Sequence, residues 1–337
     1  MRITEKVRFL LVCLLAFSGS AYSQDAHFSQ QYANRLRLNP AFAGLASEAS
    51  ATSAYRNQWP SLTGAFTTSQ LAADYRFTES KSAAGLIMTI DKAGNAGLTQ
   101  FELGGIYSYH TRISENWAVS AGLQATYGSR RVDFSALTFG DQLSDEGLVN
   151  EFSAEPQVYD PVRYLSFAAG GILFNDQYWL SLSAHHLNEP DLGFAAESKL
   201  PFRMTLNTGY KFYAWTSISE NKVYELSFTP TITYTRQGPF NKTDLGIYTL
   251  YTPVTVGIIY RGLPLLSSAE QAIAIITGVQ LNQFKVAYSY DIGLSGISAM
   301  SGGAHEITLA FDKLDFTKIY RKRFSDKNYL QISCPAF

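Results

Sequence analysis

The sequence has almost no cysteine and no long apolar run, and each absence excludes a class of protein. No stretch after the first residues approaches the roughly 20 apolar residues of a transmembrane helix, which excludes a helical membrane protein. The two cysteines are Cys13 and Cys334. Cys13 lies in a predicted signal peptide, and Cys334 has no cysteine or histidine nearby at metal-ligand spacing. We interpret Cys334 as a free thiol in a C-terminal tail, with an intermolecular disulfide or a modification as the alternatives.

Charge is also scarce, and no strong excess of one sign is present. Only 16% of the residues are charged, and the formal net charge is -1. No basic stripe runs through the body of the chain, so nothing indicates a nucleic-acid partner. A short basic cluster stands near the end, and a solvated terminus explains it; its members are Lys318, Arg321, Lys322, Arg323 and Lys327. Aromatic residues, in contrast, are abundant, with 21 tyrosines and 22 phenylalanines.

Residues 1–23 have the pattern of a secretory signal peptide. Basic residues precede an apolar run at 9–17, and Ala21-Tyr22-Ser23 supplies small residues for a cut after Ser23. A lipoprotein signal is the alternative, but Cys13 lies inside the apolar run instead of at its end. The chain is therefore predicted to be exported, as a periplasmic protein, an extracellular protein or an outer-membrane β-barrel.

Alternation of apolar and polar residues dominates the rest of the chain, and helical periodicity is nearly absent. In a strand, successive side chains point to opposite faces. At 116–130 one face carries apolar residues from Trp117 to Tyr127, and the other carries glycine, serine, threonine and glutamine. The same pattern recurs at 222–236 and 283–292. These segments are longer than the roughly 5–6 residues of a typical globular strand, and aromatics end several apolar faces, as in the interfacial girdles of membrane barrels.

We predict an all-β fold, a single transmembrane antiparallel β-barrel of about fourteen strands. The predicted domains are the signal peptide, a periplasmic or plug segment at 24–48, the barrel at 49–313 and a periplasmic tail at 314–337. The predicted strands are 49–57, 66–77, 82–91, 98–113, 116–131, 163–174, 177–187, 202–215, 222–236, 243–250, 253–261, 270–281, 283–292 and 303–313.

The connections between these strands alternate between long and short. With both termini in the periplasm, odd-numbered connections would be extracellular and longer, as 132–162, 188–201, 262–269 and 293–302 are. Short even-numbered turns fall at 114–115, 175–176 and Asn282, whereas the even connection around 217–221 is longer than expected. A large soluble all-β domain is the alternative, because a two-sided sheet also alternates, but it has no reason to show this rhythm.

No catalytic, metal or cofactor constellation is evident, so we predict a protein that is not an enzyme. His185 and His186 are expected to lie in one strand and face opposite sides of the wall, which prevents joint metal binding. Ser183 shares a face with His185, but no acidic residue is placed to orient the imidazole. Charges of both signs fall mostly on polar faces and suggest a braced lumen; they are Asp74, Glu102, Arg130, Arg203, Lys211, Glu225, Lys285, Asp291 and Glu306.

Ordered motifs stand at both ends of the predicted barrel. The first part contains Phe28-Ser29-Gln30, then Asn39-Pro40-Ala41-Phe42-Ala43-Gly44, then Arg56, Gln58 and Trp59 followed by Gly64. The last part contains 288–292 (YSYDI), 303–307 (GAHEI) and the terminal CPAF. Together these motifs resemble the PorP/SprF family of type IX secretion and gliding membrane proteins of Bacteroidota. The doubled Gln30-Gln31 departs from the single glutamine of the family pattern.

The resemblance implies a cell outer-membrane protein that assists export or surface attachment of partner proteins such as adhesins. It implies periplasmic and outer-membrane components of the same system as further partners, with outer-membrane lipid around the barrel. A porin or small-molecule transporter is the alternative function, and a lipid-modifying barrel enzyme is a third, for which a triad is lacking. The motif residues are candidates for partner binding: Asn39, Pro40, Phe42, Gly44, Arg56, Gln58, Trp59, His305 and Glu306.

Overall fold

The computed structural model describes most of the chain between Asp25 and Lys313. The described residues are 25–77, 81–94, 97–133, 138–144, 147–148, 153, 160–194, 197–219, 222–262, 271–294 and 301–313. The predicted signal peptide, the predicted tail, its basic cluster and Cys334 lie outside these ranges.

Strands account for most of the described residues, because the alternating sequence suits a pleated wall with one apolar and one polar face. Helix within the described part is confined to a single turn, α1 (Arg35–Leu38), and short 3-10 turns. The strands are β1 (Ala49–Gln58), β2 (Phe66–Phe77), β3 (Ser82–Ala93), β4 (Leu98–Arg112), β5 (Ala118–Arg131), β6 (Leu143–Ser144), β7 (Gly147–Leu148), β8 (Val162–Phe174), β9 (Tyr178–His185), β10 (Arg203–Tyr210), β11 (Phe212–Ser219), β12 (Lys222–Gln237), β13 (Phe240–Tyr251), β14 (Val254–Arg261), β15 (Ala272–Leu281), β16 (Phe284–Gly293) and β17 (Ala304–Asp312).

The main sheet closes into a barrel. Sequential strands pair antiparallel, β1 pairs with β17, and β10 pairs with β12. The strands β10 and β11 are two segments of one wall strand, since both pair with β12, and β6 and β7 form a separate small hairpin. The wall therefore has fourteen positions, which confirms the predicted fold class and strand number.

The outer face of the wall is apolar. Large side chains that point outward remain strongly exposed, such as Leu86 at 61%, Leu123 at 63% and Leu165 at 57%. A continuous apolar outer face suits hydrocarbon, and a closed barrel leaves few backbone groups unpaired there.

Among the described residues, no helix combines the length and the apolar character that a membrane crossing would require.

Each end of the barrel carries one set of connections. We call the end with 113–117, 175–177 and 282–283 the turn rim, and the end with 132–161, 186–202 and 262–271 the loop rim. The predicted long connection at 217–221 is wrong, because β11 continues to Ser219 and leaves only 220–221 before β12. On the loop rim, β12 and β13 are joined by only two residues, 238–239.

The polypeptide before β1 runs inside the barrel. Residues 25–48, which we call the strap, start near the loop rim, where Asp25 N–H donates to Gln237 at the end of β12. The strap descends through α1 and the 3-10 turn Pro40–Phe42, and ends near the turn rim, where Ser47 donates to Asp312 at the end of β17. Most strap residues from Phe28 to Leu45 are buried.

Candidate functional site

The centre of the strap lies against two glycines of the wall. Gly122 on β5 and Gly170 on β8 are directly paired across the sheet. A Cβ atom on Gly122 would lie 2.4 Å from the Ala41 nitrogen, and one on Gly170 would lie 2.0 Å from the Asn39 Oδ1. Both positions therefore require glycine, because the strap occupies the volume that any side chain would take.

Asn39 fixes this part of the strap to the wall. Its Nδ2 donates to the Ser181 Oγ at 2.9 Å and to the Leu182 carbonyl at 3.0 Å. Its Oδ1 accepts from the Ala41 N–H at 2.8 Å, and so caps the 3-10 turn in the way that asparagine caps helices. Ser120 of the wall in turn donates to the Ala41 carbonyl at 2.6 Å.

A buried ionic cluster holds the strap near the loop rim. The Ser29 Oγ donates to Asp291 at 2.7 Å, and the Ser29 N–H donates to Glu306 at 2.7 Å. Arg56 contacts both carboxylates, at 2.8 Å and 3.4 Å, and Arg261 contacts Asp291 at 2.7 Å. Because each carboxylate has a cationic partner and a strap donor, the strap helps to satisfy charges that would otherwise be buried unpaired.

A second ionic cluster holds the strap near the turn rim. The Arg35 guanidinium lies 3.2 Å from Asp74 and 3.8 Å from Asp312. Asp74 also accepts the Gly44 N–H at 2.7 Å. Gly44 has φ +73, and a Cβ there would lie 2.5 Å from the Ala83 Cβ, so this sharp bend toward β1 needs glycine.

Between the two clusters, strap and wall share an apolar core. Phe42 and Leu45 are fully buried in it. Tyr32 packs edge-to-face on Trp179, with ring centroids 5.8 Å apart, and on Tyr248 at 5.6 Å. The Tyr32 hydroxyl accepts a hydrogen bond from Asn207 at 2.9 Å, so its polar end is also satisfied. The lumen is therefore packed like a protein interior over this stretch.

The two adjacent histidines are placed differently from the prediction. His185 ends β9, but His186 has φ +57 and lies beyond the strand, so both imidazoles are buried on the inside of the barrel. His186 contacts Ser166 through Nδ1 and Asp25 through Nε2, each at 2.9 Å. The strap thus supplies the acidic partner that the sequence did not reveal.

The acidic member of this Ser-His-Asp line also takes part in an ion pair. Asp25 is also bound by Arg203, so its carboxylate serves an ion pair as well as the imidazole. Although burial alone would raise the pKa of Asp25, His186 and Arg203 hold that pKa well below its ordinary value. The adjacent cavity has a volume of about 30 Å³, which holds no more than a few water molecules.

A second cavity beside the strap lies against β10, β12 and β13 near the loop rim. It has a volume of about 150 Å³, enough for a few water molecules. Threonine side chains line its wall together with Arg203, Gln237, Phe240 and Lys242. Within the described part of the chain, no group of histidine, cysteine and carboxylate residues is arranged to hold a metal ion.

The structure separates the nine predicted partner-binding residues into two groups. Six contact the chain's own residues inside the barrel; they are Asn39, Pro40, Phe42, Gly44, Arg56 and Glu306. Gln58, Trp59 and His305 lie at the loop rim and are partly exposed. The Trp59 N–H donates to Gly303 at 2.8 Å, and the His305 ring contacts Tyr288 and Tyr290 on the outer face. The two end motifs therefore meet at one place on the loop rim.

Sequence reasoning did not identify several residues that hold the strap. Asp25, Arg35, Asp244 and Arg261 belong to its ionic contacts. The wall charges were visible as inward positions of strands, but nothing in the sequence paired them with the strap. The one available signal was the pair of inward glycines, because small residues on a lumen face leave room for another chain segment.

A closed antiparallel barrel of fourteen strands with an apolar exterior is the architecture of a β-barrel membrane protein. The sequence from 20 to 311 matches the family model described as type IX secretion system membrane protein PorP/SprF. The chain belongs to this family, as its motifs predicted. No curated protein matches the chain.

Several solved barrels resemble the chain in fold alone. The Ralstonia pickettii toluene transporter TbuX is 11% identical, with 82% of this chain and 92% of that chain covered and a TM-score of 0.45. A Rhodopseudomonas blastica porin variant is 11% identical, with 79% and 98% covered and a TM-score of 0.35. BamA from Haemophilus ducreyi is 10% identical, with 79% and 70% covered and a TM-score of 0.38.

Proposed function

We propose that this chain is a non-enzymatic outer-membrane component of the type IX secretion and gliding system. It assists export or surface attachment of partner proteins such as adhesins, and it does so by binding at its rims. The observation that carries this proposal is the strap, which occupies the lumen from one rim to the other.

The strap leaves little room for passage through the barrel. It is held by ionic clusters near both rims and by an apolar core between them. Two cavities beside it among the described residues measure about 30 and 150 Å³, whereas an extended polypeptide needs a continuous channel. An open porin, the alternative function, would require the strap to leave. The occupied lumen and the small size of these cavities favour binding of partners over conduction of ions or solutes.

The proposed orientation places the loop rim outside the cell and the turn rim in the periplasm. Bacterial barrels have short periplasmic turns and longer extracellular loops, and the longest connection here, 132–161, lies on the loop rim. Gln58, Trp59 and His305 would then face a secreted partner. The turn rim and the predicted tail at 314–337 would face periplasmic components of the system.

Deleting the gene tests the proposal. We expect the deletion strain to lose one or more surface proteins from its outer surface, and a plasmid copy of the gene to restore them. Proteomics of shaved cells and of the culture medium separates the two roles: loss from both indicates an export defect, whereas release into the medium indicates a defect in attachment.

Two results would contradict the proposal. An unchanged surface proteome in the deletion strain would show that the protein is not needed for export or attachment of surface proteins. Steady ion conductance of the purified wild-type protein in planar bilayers would favour the porin alternative, because a docked strap should block it.

A further inference from the structure

One hairpin at the turn rim extends past its neighbour. The strand β9 begins at Tyr178, which pairs with Tyr210, and the Lys211 N–H donates to Gln177 at 2.7 Å. Beyond this point the wall strand continues as β11 for eight residues, paired only with β12. Within the described residues, no strand pairs with the other edge of β11.

The hydrogen-bonding pattern identifies the groups on this edge. Both the N–H and the carbonyl of Glu225 in β12 bond to Thr252, on the side of β13. Thr216 is the β11 residue opposite Glu225. In an antiparallel ladder, two directly opposite residues either bond to each other through both backbone groups or both direct those groups away from each other. Glu225 directs its groups away from β11. Thr216 therefore directs its N–H and carbonyl to the free edge.

The edge has few of the features that protect exposed strands from pairing. Natural edges often carry charges or proline, or are very short. The segment 212–219 (FYAWTSIS) contains no charged residue and no proline. Its one protective feature is the irregularity between Tyr213 and Trp215, which leaves the register from Trp215 to Ser219 regular.

The edge lies at the membrane boundary or beyond it. Phe212 and Trp215 on β11, Tyr251 at the end of β13 and Phe284 at the start of β16 are 52–63% exposed and stand at the same rim. Such aromatics mark the interface of membrane barrels. Unpaired strand edges do not occur against hydrocarbon, so the edge from Thr216 onward is placed in the aqueous phase, which the proposed orientation makes the periplasm.

A second copy of the chain does not fit this edge. Two barrels in one membrane are related by an axis along the membrane normal, so their β11 strands run in the same direction. Self-pairing of one edge across a two-fold axis is antiparallel and would need one barrel to be inverted. This geometry favours a different polypeptide on the turn-rim side, and pairing with the chain's own residues 314–337 is left as an outcome of the test below.

We propose that the edge of β11 from Thr216 to Ser219 binds an extended segment of a periplasmic polypeptide by strand addition. Backbone hydrogen bonds would supply most of the recognition, as in other β-augmentation complexes. This inference rests on the proposed function for the side of the membrane and for the kind of partner, a component of the secretion system.

Photocrosslinking in living cells tests the inference. The photoreactive residue p-benzoylphenylalanine is placed at Trp215 or at Ser217, which share the outer face of β11. Strand pairing predicts adducts from both positions on one segment of one periplasmic protein, at sites about two residues apart. Tyr251, an exposed aromatic at the same rim on a fully paired strand, is the control position and should give no such adduct.

A backbone change separates edge pairing from side-chain contact. Thr216→Pro removes an N–H that points to the free edge and leaves the β11–β12 bonds in place. We expect at least a several-fold loss of the Ser217 adduct in this variant, with no loss in the isosteric Thr216→Val. Heat-modifiable migration on gels verifies that each variant still forms a barrel.

Three outcomes would overturn the inference: no adduct, adducts scattered over unrelated proteins, or an adduct with the chain's own residues 314–337. Surface proteomics of the same strains separates this failure from failure of the proposed function. In one case, gene deletion removes a surface protein, Thr216→Pro does not, and no adduct forms. The proposal for the β11 edge is then wrong, whereas the proposed function is supported. If deletion has no effect, the function fails whatever the adducts are.

Discussion

At the residue scale, polar side chains in the lumen form hydrogen bonds and ion pairs with both the strap and the wall. Ser29 of the strap contacts Asp291, Glu306 and both arginines of the loop-rim cluster. A buried carboxylate costs several kcal/mol unless it is paired, and here the pairing is shared between wall and strap. The arginine that the family motif singled out, Arg56, is thus a structural centre of the lumen.

Replacing Arg56 tests this role. Arg56→Met keeps most of the side-chain volume and removes the charge, so Glu306 loses its closest cation. We expect the free energy of unfolding to fall by about 3–5 kcal/mol, as for other broken buried pairs. Urea titration of the protein in detergent, followed on gels, measures it.

Arg163→Met is the matched control, since Arg163 is exposed near the loop rim. It should change the free energy of unfolding by less than about 0.5 kcal/mol. Equal unfolding midpoints for the two variants would mean that the loop-rim cluster does not stabilise the protein.

At the element scale, the strap occupies space that two glycines of the wall leave empty. Gly122 and Gly170 have no side chains at the place where the Asn39 turn approaches the wall, and the strap fills that volume. The strap has almost no regular structure, with one helical turn and one 3-10 turn. Its conformation therefore depends on the wall.

Adding a side chain at Gly122 should release the strap and leave the barrel closed. In Gly122→Val the new Cβ would lie 2.4 Å from the Ala41 nitrogen, and the turn must move. We expect trypsin to cut after Arg35 and Arg37 in this variant and not in the wild type. N-terminal sequencing of the digested barrel shows the cut.

Gly105→Val is the control for this experiment, because nothing lies within 4 Å of a Cβ at that position of β4. Its strap should resist trypsin as the wild-type strap does. If Gly122→Val resists equally, the strap is not seated on the two glycines.

At the scale of the whole molecule, the strap begins at the loop rim and ends at the turn rim, where β1 starts. Asp25 therefore lies at the opposite end of the barrel from the first residue of β1. With the proposed orientation, the residues next to Asp25 lie at the extracellular mouth. The sequence suggested a periplasmic or plug segment, with both termini in the periplasm. That assumption is wrong for the described residues, because Asp25 and Lys313 lie at opposite rims. The direction follows from contacts of Asp25 with Arg203 and Gln237, both at the loop rim.

A short epitope inserted between Gln24 and Asp25 tests this path. We expect an antibody to label intact cells, because the epitope emerges with the loops. The same epitope inserted in the turn at Asp176 should be labelled only after permeabilisation. Labelling of the strap epitope only after permeabilisation would refute the path, and labelling of the Asp176 epitope in intact cells would refute the orientation.

The sequence predicted the wall well and the lumen poorly, for a physical reason. Alternation has a period of two wherever one face meets lipid, so strands such as β5 and β16 were found with errors of a few residues at their ends. The strap has no period, and its partners lie far away in the chain. His186 was placed in a strand because local alternation does not reveal a residue with φ +57.

The strap also sets an order for assembly. Ser29 and Glu306 bond across 277 positions of sequence, so the earliest residues of the strap find their partners only when the last strand is in place. Contacts of such separation form late because loop closure must precede them. The strap directly precedes β1, and β1 closes the barrel on β17. We therefore expect closure of the seam between β1 and β17 to be coupled to burial of the strap during membrane insertion.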